Sequence, residues 1–88
     1  MTPHDQETPK PFWWKRTIRR PANQFERDAV LHVQRVLRCD ETGEMDQSTI
    51  SSILGIQHLF GLNPTGVIDE PLAKEIDRLR TWGSIEGG

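Results

Sequence analysis

The chain contains a single cysteine, Cys39, so no internal disulfide can hold its fold together. A chain of 88 residues has room for one small core. Small folds that lack disulfides depend on efficient side-chain packing, on a partner, or on both. We therefore expect one packed domain and exclude a disulfide-stabilised secreted fold and a large multi-domain enzyme.

Three segments carry the three- and four-residue apolar spacing of amphipathic helices, and each follows a residue that favours the N-cap position. The predicted N-caps are Asn23, Asp46 and Asp69. The first helix is expected to run to about Cys39 and the second to end at Gly61, which suits a left-handed C-cap. The pattern predicts an all-α three-helix bundle over residues 23–82, followed by a flexible tail over residues 83–88.

The apolar residues of each segment define the expected buried stripes. They are Phe25, Ala29, Val33, Val36 and Leu37 in the first helix, Ile50, Ile53, Leu54, Leu59 and Phe60 in the second, and Leu72, Ile76 and Leu79 in the third, with Trp82 close behind. Glu26 is expected to complete a capping box with Asn23. Pro64 and Gly66 exclude regular helix before Asp69, and Val67 and Ile68 are expected to form a short extended piece.

Residues 1–22 have a different composition from the rest. They contain four prolines and carry five basic and two acidic residues, a net charge of +3, whereas residues 23–88 carry six basic and eleven acidic residues, a net charge of −5. Because proline disfavours helix for itself and for the residue before it, we expect residues 1–22 to be an extended basic and aromatic arm. Its candidate partner-binding residues are Phe12, Trp13, Trp14, Lys15, Arg16, Arg19 and Arg20.

Three destinations are open for the aromatic side chains of this arm. They fold back on the helical body and fill its core, or they anchor the protein to a larger assembly, because Trp and Arg dominate interface energetics. The third destination is a nucleic acid or a membrane surface. The acidic body argues against a dedicated nucleic-acid binder.

Two glutamine-containing helices and the turn after the second carry a family resemblance. Gln34 lies in VLHVQRVL, and Gln57 lies in TISSILGIQHLFGL, which runs into TGVID. Together they resemble the small three-helix peptidoglycan-binding domain over about residues 25–80. The motif residues are Gln34, Thr49, Gln57, Gly61, Leu62, Thr65, Gly66 and Asp69. The chain departs from the family pattern at Val33, Ile56 and Leu72, and in the turn over residues 43–46.

The resemblance implies a three-helix architecture and a binding function, with the motif residues mainly structural. Gln34 and Gln57 are expected to hydrogen-bond a loop backbone from inside the helix layer rather than to contact a ligand. Thr49, Gly61, Gly66 and Asp69 are expected to be caps and turn formers.

No grouping of residues in the sequence indicates catalysis, a metal site or a cofactor. His4, His32 and His58 lack ligand spacing, and Cys39 is the sole thiol. No phosphate-binding glycine loop or nucleophile elbow is present in the sequence. Cys39 is expected to be a small core residue and His58 an exposed one. We interpret the chain as a non-catalytic module without metal or cofactor.

The N-terminal sequence lacks the features of a signal peptide, and no segment is long and apolar enough to span a bilayer. We expect synthesis in the cytoplasm as a small gene product on its own. A wall-binding module without export signal or catalytic domain fits a bacteriophage virion, where the arm would bind a capsid or tail lattice. The alternatives are a peptidoglycan-binding accessory of a separate lytic enzyme and a small regulatory or nucleic-acid-associated protein.

Overall fold

In a computed structural model, the chain forms three helices. The structure describes residues 11–87, and the side chains of residues 11–79. Helix α1 spans Gln24–Leu37, α2 spans Gln47–Leu59 and α3 spans Glu70–Gly87. Residues 11–87 contain no strand, and their one isolated β-bridge joins Ile18 to Ile68 in antiparallel orientation. The predicted all-α three-helix architecture is therefore confirmed.

Each helix begins at the N-cap that the sequence predicts. Asn23 accepts a hydrogen bond from the Glu26 backbone N–H at 2.9 Å, and Asp46 accepts one from the Thr49 N–H at 2.9 Å. Asp69 accepts one from the Leu72 N–H at 3.2 Å. Such caps satisfy backbone donors in the first turn that have no partner inside the helix.

Two helix ends differ from the prediction. Helix α1 stops at Leu37 because Arg38 adopts a left-handed conformation, with φ of 62°. Helix α3 continues to Gly87, whereas the sequence predicts a tail from residue 83. A glycine inside a helix costs only about 1 kcal/mol relative to alanine, so Gly83 alone does not end it. Residues 1–10 of the predicted arm, Gly88 and the Trp82 side chain lie outside the description.

The core is assembled from all three helices together with the N-terminal segment, by which we mean residues 11–22. Its members are Trp13, Trp14, Ile18, Ala29, Val30, Val33, Ile53, Ile68, Leu72, Ala73 and Ile76. Several residues predicted to be buried lie at the surface instead. Leu59 is 71% exposed and Phe60 41%, and Phe25 is 38% exposed beneath the Lys15 ammonium group.

Ile68, in the α2–α3 connection, is one of the residues that hold the N-terminal segment on the body. Ile18 and Ile68 exchange two backbone hydrogen bonds, of 3.0 and 3.1 Å. The Ile68 carbonyl also accepts a buried hydrogen bond from the Trp14 indole N–H at 2.9 Å. The short extended piece predicted at Val67 and Ile68 is thus the docking edge for the N-terminal segment.

Trp14 tests the contribution of this docking to stability. Trp14→Ala is expected to lower the free energy of unfolding by about 3–5 kcal/mol, the usual cost of truncating a buried aromatic side chain. Phe12→Ala, two residues away and 82% exposed, should change it by less than about 0.5 kcal/mol. Urea denaturation followed by circular dichroism measures both. Equal losses in the two variants would contradict the docking.

Candidate functional site

Two turns of the chain are built around buried glutamine side chains. The first glutamine turn comprises residues 39–46, between α1 and α2, and the second comprises residues 62–69, between α2 and α3. Gln34 and Gln57 are both completely buried. The Gly43 N–H donates to Gln34 Oε1 at 2.9 Å, and the Gly66 N–H donates to Gln57 Oε1 at 2.9 Å. This is the loop hydrogen bonding that the sequence predicts.

The amide nitrogens of the two glutamines also donate hydrogen bonds to these turns. Gln57 Nε2 donates to Thr65 Oγ1 at 2.8 Å. Gln34 Nε2 lies 2.8 Å from Thr49 Oγ1 and 3.0 Å from the Glu44 carbonyl oxygen and Thr42 Oγ1. Each glutamine therefore satisfies its own buried polar atoms and those of its turn.

The threonines connect both turns to the helix caps that follow. Thr42 donates to Asp46 Oδ2 at 3.0 Å, and Thr65 donates to Asp69 Oδ2 at 2.9 Å. Thr49 also donates to Asp46, at 2.6 Å, and the hydrogen bonds from Thr49 and Thr42 hold the pKa of the Asp46 carboxyl below its ordinary value. The glutamine, turn and cap form one continuous hydrogen-bond network in each turn.

The two turns repeat at a constant spacing of 23 residues, as positions 34 and 57, 42 and 65, 43 and 66, and 46 and 69 show. Gly43 and Gly66 share the same left-handed backbone, with φ of 76° and 74°. The sequence prediction did not include this repeat. The sequence carries the signal as two Thr-Gly-x-x-Asp segments.

The remaining motif residues end α2 or lie in its core face. Gly61 has φ of 69°, as expected of a residue that terminates a helix, and the Leu62 N–H donates to the Gln57 carbonyl at 2.7 Å. Thr49 is completely buried. All of these residues serve the fold, and the turns they build leave their side chains largely committed to hydrogen bonds within the protein.

Of the predicted partner-binding residues, two tryptophans belong to the core. Trp13 is 7% exposed and Trp14 4%, so the alternative in which they fold back on the body describes this structure. Trp13 and Trp14 are therefore core residues in this structure and not exposed contacts for a partner. Burial of an indole against apolar neighbours removes a large area from water, which stabilises this arrangement. Phe12, Lys15, Arg16, Arg19 and Arg20 stay on the surface.

A buried carboxylate ties the basic part of the N-terminal segment to α1. Glu26 accepts from Arg16 Nε at 2.8 Å and from the Ala22 N–H at 2.8 Å. These two hydrogen bonds, that of Arg16 first, lower the pKa of the Glu26 carboxyl below its ordinary value. The predicted capping box is therefore incomplete, because the Glu26 side chain reaches Ala22 instead of Asn23.

The other candidates are dispersed over the surface. His58 is exposed, as predicted. Cys39 is half-buried and lies outside the core, in contrast to its prediction as a core residue, and its thiol is 3.2 Å from Ser52 Oγ. Within residues 11–79 no three His, Cys, Asp or Glu side chains converge on a possible metal position. None of the described helices has the length and apolar character needed to cross a membrane.

One cleft opens between the N-terminal segment and α1, with a volume of about 530 Å³. Its walls carry the aromatic rings of Phe12, Trp13 and Phe25 and the polar side chains of Asp28, His32 and Arg35. Sequence reasoning did not find this cleft, because it depends on the docking of Trp13, a tertiary contact. No family model, curated protein or solved structure matches this chain.

The glutamine turns make a clear prediction for stability. Gln34→Leu and Gln57→Leu each leave a buried glycine N–H without its acceptor, which costs about 1–3 kcal/mol in free energy of unfolding. Gln34→Leu is expected to cost more, because the Gln34 amide bridges more groups of its turn. Urea denaturation measures the losses, and the exposed Gln47→Leu serves as the control. Losses no larger than that of the control would contradict the role of the turns.

Glu26 makes a prediction for pH dependence. A carboxyl with a lowered pKa stabilises the fold at pH values above its pKa in the unfolded chain, and this stabilisation is lost as the pH falls through the folded-state pKa. Glu26→Gln should therefore be less stable than the parent at pH 7, with the difference shrinking towards pH 3. Arg16→Met should reduce that pH dependence. Urea titrations at several pH values measure it, and a pH-independent difference would contradict the ionic origin.

Proposed function

We propose that the protein is a non-catalytic module of the peptidoglycan-binding type. The observation that carries this proposal is the pair of glutamine turns. The second turn uses Gln57, Thr65, Gly66 and Asp69, which are residues on which the family resemblance depends, and the first turn repeats the same hydrogen bonding around Gln34 although its sequence departs from the family pattern. These residues form helix caps and turns, so the family motif directly supports a shared architecture. It supports a shared ligand only indirectly, through that architecture.

A binding role suits the way the polar groups are used. The turn threonines and aspartates are occupied by caps, with Thr65 donating to Asp69 and Thr42 to Asp46. These side chains form a structural frame, because their hydrogen bonds are made within the turns. What such a frame presents to other molecules is its outer surface, where the cleft beside α1 is lined by aromatic and polar side chains.

Attachment to a capsid or tail lattice of a bacteriophage virion is the second candidate function. It is favoured by the surface of the N-terminal segment, where Phe12 is 82% exposed. On the same segment Lys15, Arg16, Arg19 and Arg20 are exposed, and no described residue forms an ion pair with Arg19 or Arg20. Arginine and aromatic side chains are enriched in protein interfaces. In this role the module would be a structural or accessory component of the particle.

Co-sedimentation with purified peptidoglycan sacculi at physiological salt tests the first function. The full chain is the required form, because Trp13, Trp14 and Ile18 belong to the core and a protein beginning at residue 23 would lack them. We expect the full chain to pellet with sacculi. The Arg19→Glu/Arg20→Glu variant should pellet equally, because recognition by the family frame does not require these charges.

Each outcome decides between the candidates. Pelleting that disappears on charge reversal would show adsorption of cations to an anionic wall and would overturn the proposal. Absence of pelleting for both proteins would overturn wall binding. The virion function would then be tested by co-sedimentation with purified phage capsids and tails, to which the charge-reversal variant should fail to bind.

A further inference from the structure

The cleft between the N-terminal segment and α1 has the size and lining of a ligand site. Its volume of about 530 Å³ falls within the range of about 300–1,000 Å³ that is usual for small-molecule sites. We propose that this cleft binds a saccharide, namely a chain of N-acetylated amino sugars. This proposal rests on the proposed function. It places the binding site in the cleft and assigns the glycan strand as the part of peptidoglycan that the cleft binds.

Aromatic rings supply the apolar part of the recognition. Phe12 and Phe25 line the cleft and are 82% and 38% exposed, so both offer ring surface to a ligand. The Lys15 ammonium group lies 4.6 Å from the centroid of the Phe25 ring and helps to fix that ring. A pyranose ring presents apolar C–H faces of similar size to an aromatic ring. Stacking of sugar on phenylalanine would therefore remove apolar surface of both from water.

The wall behind these rings is rigid. Trp13 is nearly buried, its indole N–H donates to Asp77 Oδ1 at 3.4 Å, and its ring centroid lies 4.6 Å from that of His32. A fixed wall reduces the entropy that is lost on binding. The N-terminal segment thus contributes both an exposed ring, Phe12, and the ordered tryptophan next to it.

Polar side chains of α1 supply the hydrogen-bonding part. Asp28, His32 and Arg35 follow one another at spacings of four and three residues, which places them along one face of the helix. Asp28 Oδ1 accepts from Gln24, and Arg35 uses Nε and Nη2 to bind Glu41. In the described residues no hydrogen bond engages Asp28 Oδ2 or Arg35 Nη1. One acceptor and one donor therefore remain for a ligand.

This combination favours an amino sugar over other ligands. A purely apolar ligand would cover Asp28 Oδ2 and Arg35 Nη1 without offering either atom a hydrogen bond, which disfavours its binding. A polyanion would gain little net attraction, because the Asp28 carboxylate offsets the charge of the Arg35 guanidinium in the same cleft. A saccharide has hydroxyl donors for the carboxylate, an acetamido carbonyl for the guanidinium and C–H faces for the rings.

The test is a titration of the full chain with the tetramer of N-acetylglucosamine, in which NMR chemical shifts of the backbone amides report binding. Maltotetraose, which lacks acetamido groups, is the comparison sugar. Phe12→Ala/Phe25→Ala is expected to weaken tetramer binding by about tenfold or more, as is usual for aromatic residues at the centre of an interface. The matched control is Leu59→Ala/Phe60→Ala, whose two side chains are exposed at the end of α2 and outside the cleft. This control should bind as the parent does.

Asp28→Asn is a second test that does not alter the apolar surface, and it should weaken binding while the urea midpoint stays near that of the parent. Three results would overturn the proposal that the cleft binds the saccharide. They are no binding of the tetramer, equal binding of maltotetraose, or weaker binding in the Leu59→Ala/Phe60→Ala control alone. Sacculus pelleting without tetramer binding would overturn the cleft and leave the proposed function standing. Tetramer binding in the cleft without pelleting would overturn the proposed function alone.

Discussion

The rest of the structure depends on the buried amide of Gln57. It holds the second glutamine turn through the Gly66 N–H and the Thr65 hydroxyl, and that turn carries Ile68. Ile68 in turn pairs with Ile18 and accepts the hydrogen bond of Trp14. One side-chain amide therefore orders the α2–α3 connection, caps α3 through Asp69 and positions the edge on which the N-terminal segment docks.

The local features of the fold could be predicted from the sequence, and the tertiary ones could not. The caps at Asn23, Asp46 and Asp69 are properties of neighbouring residues, so their residue types were enough to place all three helix starts. The position of Trp14 depends on the Ile68 carbonyl, which is distant in sequence. For the same reason Leu59 and Phe60 were predicted to be buried, since an apolar pattern does not say which neighbours exist to cover it.

The glutamine turns could be predicted from the sequence, whereas the cleft could not. The glutamines and turn residues carry local patterns, and their hydrogen bonds agree with the roles predicted for Gln34 and Gln57. The cleft combines Phe12 and Trp13 with α1, and no sequence pattern connects these elements. The chain thus adds its own N-terminal segment to a repeated turn architecture, and the cleft exists only where the two meet.

The bridge between Ile18 and Ile68 has a consequence for synthesis of the chain. Ile68 is made 50 residues after Ile18 (68 − 18), which corresponds to about 3–10 s at common elongation rates of about 5–20 residues per second. During this interval the core that encloses Trp13 and Trp14 is incomplete, because Ile68 and the core residues of α3 have not yet been made. The nascent protein therefore exposes two indole rings until α3 is being made, and its folding is completed by the last third of the chain.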